Sequence, residues 1–349
     1  MKLLTFTVVN PDMQRIAQEV SSADSSEKEK ITFDIPEDLM EWCARSCYDS
    51  IDKYQNNKSF MKGIIKSEHW DILEHGYFAA MFQINPTSYN IRYYFSHIMR
   101  LKFPYMYVDF TGDWVILAGN MRVWYEMQKT KYEDLEGFIS QADIEMFQYY
   151  LTGLAPSLFD EPDVNPVLLP HFSATFASDI RWMQHCASEY FDRYDAEYTA
   201  FGGEVKLLAI APPNDKFGYA TFSFDNVSRA FMAQATRHRR MVHSVRSFRY
   251  VSANDTNYVH DIEETPRQRQ LADALFDMSL LVYKEMQEDG AKKQVARGVI
   301  PTNVNTRVIS SGDIQAWDWF LHERTAPDAQ GEIRHAAYGV KHILYSATV

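Results

Sequence analysis

A short basic stretch holds the residues of this chain best suited to binding chemistry. Arg237, His238 and Arg239 are consecutive, and Ser247 and Arg249 follow shortly after them. Guanidinium groups are forked donors that match the oxygen atoms of phosphates and carboxylates. Because the whole chain carries a net charge of −12, this local excess of cations indicates a site for an anionic ligand.

The alternative interpretation is a solvated basic helix face, which is what most charge runs are. The preceding residues weigh against it, because residues 219–224 alternate as in a strand and Ser228 is suited to cap a helix that runs through Phe231. Arg237 to Arg239 would then lie at a helix end, with Ser247 and Arg249 on the loop beyond.

Further blocks of sequence accompany this stretch. The run from Phe222 to Arg239 reads F-S-F-D-N-V-S-R-A-F-M-A-Q-A-T-R-H-R and continues to S-F-R-Y. The other blocks are A-R-S-C-Y-D-S at 44–50, H-W-D-I-L-E-H at 69–75, A-R-G-V-I-P at 296–301 and a strand, helix and E-I segment over 306–333. In content and order these blocks resemble the flavin-dependent thymidylate synthases. One short motif is weak evidence, whereas four in the right order are strong.

Composition agrees with an enzyme that has a substantial core. The chain has 349 residues, of which 46% are hydrophobic, enough for one large core or two modest ones. No apolar run is long enough to span a bilayer, and the first ten residues read as a strand without the features of a secretory signal, so we predict a cytoplasmic protein. The three cysteines make no disulfide framework, and the acidic balance argues against general nucleic-acid binding. We predict no metal site.

The residue pattern is typical of an α+β protein, with strands at 3–9 and 78–84 and helices at 37–48 and 60–73. The resemblance implies a central mixed or antiparallel sheet flanked by helices. Family members pass almost directly from the strand after the E-H pair into the S-R-A helix, whereas here residues 85–216 intervene. We therefore predict a catalytic domain formed by 1–84 and 217–349 and an inserted subdomain, 85–216, with its own small core.

The resemblance implies the reductive methylation of dUMP to dTMP by a methyltransferase. Methylenetetrahydrofolate would supply the carbon, and FAD reduced by NADPH would supply the hydride. The nucleotide would be held by Gln234, Arg237, Ser247, Arg249, Arg297 and Arg324, the last two being the predicted catalytic residues. The flavin would be contacted by His69, Glu74, Arg237, His238, Arg239 and Ser244. The family assembles as homotetramers whose active sites lie between subunits, and we expect the same here.

One family motif is displaced. The C-terminal T-G-N-x-R-x-W motif, whose Asn and Arg face the flavin, is replaced by S-S-G-D-I-Q-A-W, with Asp313 and Gln315 in those places. A similar run, A-G-N-M-R-V-W, occurs at 118–124 instead. One hypothesis is that Asn120 and Arg122, from a degenerate internal duplication, restore the missing flavin contacts. The alternative is chance similarity within an ordinary amphipathic helix.

Other departures from the family pattern leave two further functions open. Val242 and Val245 stand where polar residues are usual, and Asp328 stands where histidine is frequent. A changed pyrimidine substrate, or transfer of a hydroxymethyl group on the same fold, is one alternative. The other is a non-catalytic homologue that binds a nucleotide or nucleic acid through its arginines.

Overall fold

The computed structural model describes residues 1–56, 58–84, 90–191, 202–214 and 217–345. The strands of these ranges are β1 (Lys2–Phe6), β2 (Val8–Val9), β3 (Tyr77–Gln83), β4 (Tyr107–Thr111), β5 (Trp114–Asn120), β6 (Glu204–Asn214), β7 (Phe217–Ser228), β8 (Val242–Val245) and β9 (Asn305–Asp313). They form two antiparallel sheets, ordered β1-β3-β5-β4 and β2-β6-β7-β9-β8.

Helices surround both sheets. They are α1 (Asp12–Val20), α2 (Ser25–Lys28), α3 (Pro36–Cys47), α4 (Lys58–Lys66), α5 (Asn90–Tyr93), α6 (Arg100–Lys102), α7 (Met121–Lys129), α8 (Gln141–Leu154), α9 (Leu169–Phe191), α10 (Arg229–Ala235), α11 (Pro266–Glu288), α12 (Lys293–Ala296), α13 (Ile314–Arg324) and α14 (Gly331–Tyr345). A π-helical turn joins α5 to α6, and 3-10 turns occur at Ile51–Lys53, Trp70–His75 and Arg297–Val299. None of the helices in the described ranges combines the length and apolar character needed to cross a bilayer.

The predicted α+β class, with antiparallel sheets flanked by helices, is confirmed. The strands divide into two sheets instead of one central sheet, and the N-terminal strand joins them. β1 pairs with β3 in the first sheet, and β2 pairs with β6 in the second. Between them, the backbone N–H of Thr7 donates to the carbonyl of Tyr77 (3.0 Å), and its hydroxyl accepts from the Tyr77 N–H (2.9 Å).

Within the described residues, the segment 85–216 packs into the same core as the rest of the chain. β5 pairs with β3 along the whole strand, from Tyr77 opposite Asn120 to Gln83 opposite Trp114. β6 pairs with β7, so this segment contributes strands to both sheets. Its buried Phe147 consequently shares one hydrophobic cluster with Phe78 and Phe222. The proposed boundaries at 85 and 216 lie outside the described residues and stay a prediction.

A buried carboxylate fixes the start of α10. As predicted, Ser228 caps this helix, its hydroxyl accepting from the backbone N–H of Phe231 (2.9 Å). Glu332 of α14 accepts hydrogen bonds from the backbone N–H (2.6 Å) and the hydroxyl of Ser228. Burial raises the pKa of Glu332, although these hydrogen bonds oppose the rise. The basic stretch after α10 is therefore positioned by an interaction within the protein interior.

Candidate active site

A cavity of about 510 Å³ opens between the two sheets. Its volume is in the range of sites for small molecules and cofactors, roughly 300 to 1,000 Å³. Its aromatic lining residues are Tyr77, Tyr105, Tyr107, Phe217 and Tyr219, and its polar and charged ones include Glu74, Arg100, Asn120, Arg239, Arg240, Asp313 and Gln315. Flat apolar walls with several cations suit a planar ring system that carries negative charge.

Two stacked tyrosines join the sheets at this cavity. The rings of Tyr77 on β3 and Tyr219 on β7 lie 4.9 Å apart between centroids and are inclined by 7°. The Tyr219 hydroxyl donates to the backbone carbonyl of Glu74 (2.6 Å), and Tyr107 packs edge-on against Phe217 (5.1 Å). Burial raises the pKa of both stacked tyrosines, so they are neutral and present a rigid aromatic surface.

Asn120 and Arg122 lie where β5 passes into α7. The side-chain oxygen of Asn120 accepts from the backbone N–H of Val123 (3.2 Å) and so caps the helix. Arg122 donates to Glu74 (2.7 Å) and to Glu126 (3.0 Å). Burial raises the pKa of Glu74, and the ion pair with Arg122 opposes that rise. Three residues of the predicted flavin group, Glu74, Asn120 and Arg122, are thus neighbours.

The basic stretch reaches the same cavity from the other sheet. Arg239 and Arg240 follow the end of α10 and line the cavity. Arg240 donates to Asp313 (2.7 Å), the N-cap of α13. In the sequence, Asp313 was noted only as a departure from the family motif. Its ion pair with Arg240 had no signal in the sequence, because it joins residues far apart along the chain.

A second group of predicted residues surrounds Arg324. Its Nε donates to Nε2 of His238 (2.9 Å), and its Nη2 donates to the backbone carbonyl of Gln234 (3.3 Å). Burial, aided by the charge of Arg324, lowers the pKa of His238 to about 4, so this imidazole is neutral at pH 7 and can accept. Burial also lowers the pKa of Arg324, and the charge of nearby Arg237 adds to that effect. An anion at this place would relieve the repulsion between the two guanidinium groups.

Ser247, Arg249 and Arg297 belong to the second group only by prediction. The backbone N–H of Ser247 donates to the carbonyl of Cys47 (2.9 Å), and the guanidinium of Arg249 lies over the ring of Tyr250. Arg297 lies in a 3-10 turn, where its charge, after burial, contributes to the lowered pKa of Arg229. None of the predicted nucleotide-binding residues is among the described residues that line the cavity.

Ser244 and His69, two more of the predicted flavin contacts, are not among the described residues that line the cavity. Ser244 is buried, and its hydroxyl is bonded to Nε2 of His75 (2.8 Å), whose Nδ1 is bonded to the hydroxyl of Ser311 (2.7 Å). His69 is exposed at the start of the 3-10 turn, and its side chain makes no capping bond. Burial lowers the pKa of His75 to about 3, so it is neutral. Sequence reasoning noted His75 only as the last letter of a motif and missed this network.

The C-terminal part of the chain matches the sequence model of a known protein family. A sequence model of the family described as Thymidylate synthase complementing protein matches residues 216–347. The predicted resemblance is therefore confirmed for this part, which carries the basic stretch, β9, α13 and α14.

Two individual proteins that resemble this chain carry a more specific name than the family model does. Over 134 residues the chain is 30% identical to the flavin-dependent thymidylate synthase of Mycobacterium marinum (strain ATCC BAA-535 / M), covering 34% of this chain and 54% of that protein. Over 167 residues it is 27% identical to the flavin-dependent thymidylate synthase of Thermococcus onnurineus (strain NA1), covering 43% and 66%. The chain spans about half the length of the mycobacterial relative.

Proposed function

We propose that the protein is a flavin-dependent thymidylate synthase that converts dUMP to dTMP. Methylenetetrahydrofolate supplies the carbon, and FAD reduced by NADPH supplies the hydride. The observation that carries this proposal is the cavity that joins Glu74 and Asn120 of one sheet to Arg239 of the other. These residues are far apart in sequence. The family resemblance assigns Glu74 and Arg239 to the flavin, and the displaced-motif hypothesis adds Asn120.

The residues at the cavity fit a flavin dinucleotide. Arg239 supplies a cation for the diphosphate, and the stacked Tyr77 and Tyr219 offer a flat wall to an aromatic ring. Asn120 and Arg122 take the places of the absent C-terminal Asn and Arg, and Glu74 orients Arg122. When bound and reduced, the flavin supplies the hydride. The protein binds it, orients it and excludes water from it.

The second group of arginines holds the nucleotide in this proposal. Gln234, Arg237, Ser247 and Arg249 bind its phosphate and sugar. Arg297 and Arg324 polarise the uracil carbonyls, an electrostatic role of the oxyanion-hole kind. Neutral His238 accepts from the Nε of Arg324 and thereby fixes the orientation of the guanidinium plane.

The homotetramer and the cytoplasmic location also remain part of the proposal. α11 supports contact between copies, because one of its faces exposes large apolar side chains. They are Leu271, Leu275, Met278, Leu281 and Val282. Their spacing follows one side of a helix, and an apolar stripe of this kind is typical of a surface that another element covers.

A different one-carbon product on the same fold is the second candidate. It is favoured by Val242, which lines the cavity where the family usually has a serine. An apolar group in that place removes a hydrogen-bonding partner and changes what the site can recognise. The substrate would then be another pyrimidine nucleotide, or the transferred group hydroxymethyl.

The proposal is tested by colour and by product. The purified protein should show a flavin absorbance band that NADPH bleaches, and it should then form dTMP from dUMP and methylenetetrahydrofolate, as identified by mass spectrometry. A product mass with an added hydroxyl would favour the second candidate. A colourless protein that neither binds added FAD nor oxidises NADPH would instead indicate a non-catalytic nucleotide-binding homologue.

Arg122→Ala tests the displaced motif. We expect the Kd for FAD to rise about 10- to 100-fold, because a hydrogen bond from a charged group is worth about 1.5 to 3 kcal/mol. The measurement is a titration of flavin fluorescence. Arg15→Ala is the matched control. Like Arg122, Arg15 pairs with a glutamate four residues further along its helix, but it lies on the exposed surface of α1, away from the cavity. An unchanged Kd in Arg122→Ala would leave chance similarity as the explanation of the motif.

A further inference from the structure

We propose that the chain consists of two tandem copies of one structural unit related by a pseudo-two-fold axis, and that they build a single ligand site within one chain. Repeat 1 comprises β1, β3, β4, β5 and α7, and repeat 2 comprises β6, β7, β8, β9 and α13. The identity of the ligand as a flavin dinucleotide rests on the proposed function. The repeat itself rests only on geometry.

The two sheets have the same topology. In each repeat the four strands, numbered in chain order, lie in the order first, second, fourth, third. All neighbouring strands are antiparallel in both. β2 is an additional edge strand of the second sheet.

The register of the strands is also the same. The last residue of the fourth strand pairs with a tyrosine of the second strand in both repeats, Asn120 with Tyr77 and Asp313 with Tyr219. Two residues before Asn120, Ala118 pairs with Tyr107, the first residue of β4. Two residues before Asp313, Ser311 pairs with the first residue of β8. The residues of repeat 1 at these positions thus have defined equivalents in repeat 2.

The junction between the fourth strand and its helix repeats as well. Asp313 caps α13 through the backbone N–H of Ala316 (2.7 Å), as Asn120 caps α7. Four residues after each cap stands a fully buried tryptophan, Trp124 or Trp317. Each indole N–H donates to a backbone carbonyl of its own sheet at 3.0 Å.

Two glycines make equivalent close contacts. A Cβ added to Gly76 would lie 2.8 Å from Cγ of Met121, the first residue of α7. A Cβ added to Gly218 would lie 2.8 Å from Cγ1 of Ile314, the first residue of α13. Each glycine directly precedes the tyrosine that pairs with the helix cap. The same small residue is required at the same place in both repeats, which chance similarity of one short motif does not explain.

The stacked tyrosines locate the axis. Tyr77 and Tyr219 are equivalents and touch each other, and a residue contacts its own equivalent only near a two-fold axis. The cavity lies on this axis, because its lining contains the equivalent pairs Asn120 with Asp313 and Met106 with Met241 as well. It therefore has two pseudo-equivalent halves.

The repeats have diverged in complementary ways. The register aligns Pro104 and Tyr105 of repeat 1 with Arg239 and Arg240, so these two arginines at the cavity have no cationic equivalent in repeat 1. The Asn and Arg after the fourth strand survive only in repeat 1, since repeat 2 has Asp313 and Gln315. Together, the arginines of repeat 2 and the Asn and Arg of repeat 1 make one complete set of hydrogen-bond donors for a ligand. The cavity therefore takes one dianionic dinucleotide per chain, at a boundary between repeats and not between subunits.

Complementation between chains tests where the site is assembled. Asn120→Asp gives repeat 1 the residue of repeat 2, and Arg239→Ala removes a cation of repeat 2. We expect each variant alone to retain little FAD. The two variants are then co-expressed with different tags, and assemblies that contain both are purified. We expect these mixed assemblies to retain no more FAD than either variant alone. A monomeric wild-type protein with one FAD per chain would support the inference equally. Recovery to about half of the wild-type flavin content would overturn it, because a site between chains is intact in one of its two copies.

A measurement without flavin tests the axis itself. Tyr77→Leu and Tyr219→Leu should lower the midpoint of urea unfolding non-additively, because both remove the same ring contact. The non-additivity should not depend on protein concentration, as expected for a contact within one chain. Additive effects, or coupling that disappears on dilution, would overturn the inference. If wild-type protein fails to bind FAD while this coupling is present, the proposed function fails and the repeat stands.

Discussion

Changing Arg324 to lysine is expected to lower kcat/KM for the nucleotide substrate by about 100- to 1000-fold, the usual loss when one stabilising donor is removed from a transition state. Arg324 presents a plane that is fixed at Nε by His238 and at Nη2 by the Gln234 carbonyl. Lysine keeps the charge but has a single nitrogen, so it cannot hold both contacts and still reach the substrate. The measurement is steady-state formation of product.

Two comparisons make the Arg324 result interpretable. Arg334→Lys is the matched control, because Arg334 lies on the neighbouring α14, where its Nη1 donates to the Pro327 carbonyl (2.7 Å). Its kinetics should equal those of the wild type. A role confined to positioning α10 would raise KM and leave kcat intact, whereas transition-state polarisation lowers kcat. A kcat within about twofold of the wild-type value would contradict the assignment of Arg324.

His75→Leu is expected to lower the free energy of unfolding by about 2 to 4 kcal/mol. The imidazole lies in the 3-10 turn before β3 and bridges the hydroxyls of Ser244 and Ser311 in the second sheet, with Thr221 bonded to Ser311 in turn. The substitution removes one hydrogen bond from each of the two buried hydroxyls, Ser244 and Ser311, and each loss costs about 1 to 2 kcal/mol. Urea unfolding followed by circular dichroism measures the change.

The same network supplies the controls for His75. His322→Leu, at a side chain that is 74% exposed, should change stability by no more than about 0.5 kcal/mol. Adding Ser244→Ala to His75→Leu should recover part of the loss, because it removes one of the two buried hydroxyls that have lost their bond to the imidazole. A variant His75→Leu as stable as the wild type would show that the network contributes nothing to stability.

Local signals in the sequence were sufficient for the basic stretch. Alternation predicted the strand before Ser228, and the serine predicted the helix start, because caps act on backbone groups only a few residues away. The helix predicted at 60–73 was wrong in its second half. α4 ends at Lys66, Glu68 adopts a positive φ of 56°, and a 3-10 turn follows at Trp70–His75. No local pattern marked that break.

The sequence did not predict which distant strands pair with each other. A long insertion in the sequence led us to predict a separate core for residues 85–216. In the structure, β5 and β6 of this segment pair instead with β3 and β7. Which strand fills an edge depends on tertiary packing and not on the strand's own residues. For the same reason the sequence did not show that the Ser244 hydroxyl on β8 is bonded to His75. Asn120 and Arg122 could be singled out as candidates because their motif is short and contiguous.

The N-terminal strand has a consequence for how the molecule reaches its native state. β1 pairs with β3, which lies at 77–83. β2 directly follows β1 but pairs with β6, which lies much later in the chain at 204–214. During synthesis the second partner emerges long after the first, so this segment remains half-paired until residues 204–214 have been made. Such distant pairing is associated with slow folding and with exposed edges. Maturation of this protein should therefore be more sensitive to ribosome speed and to chaperone supply than that of a protein whose first strand finds all its partners early.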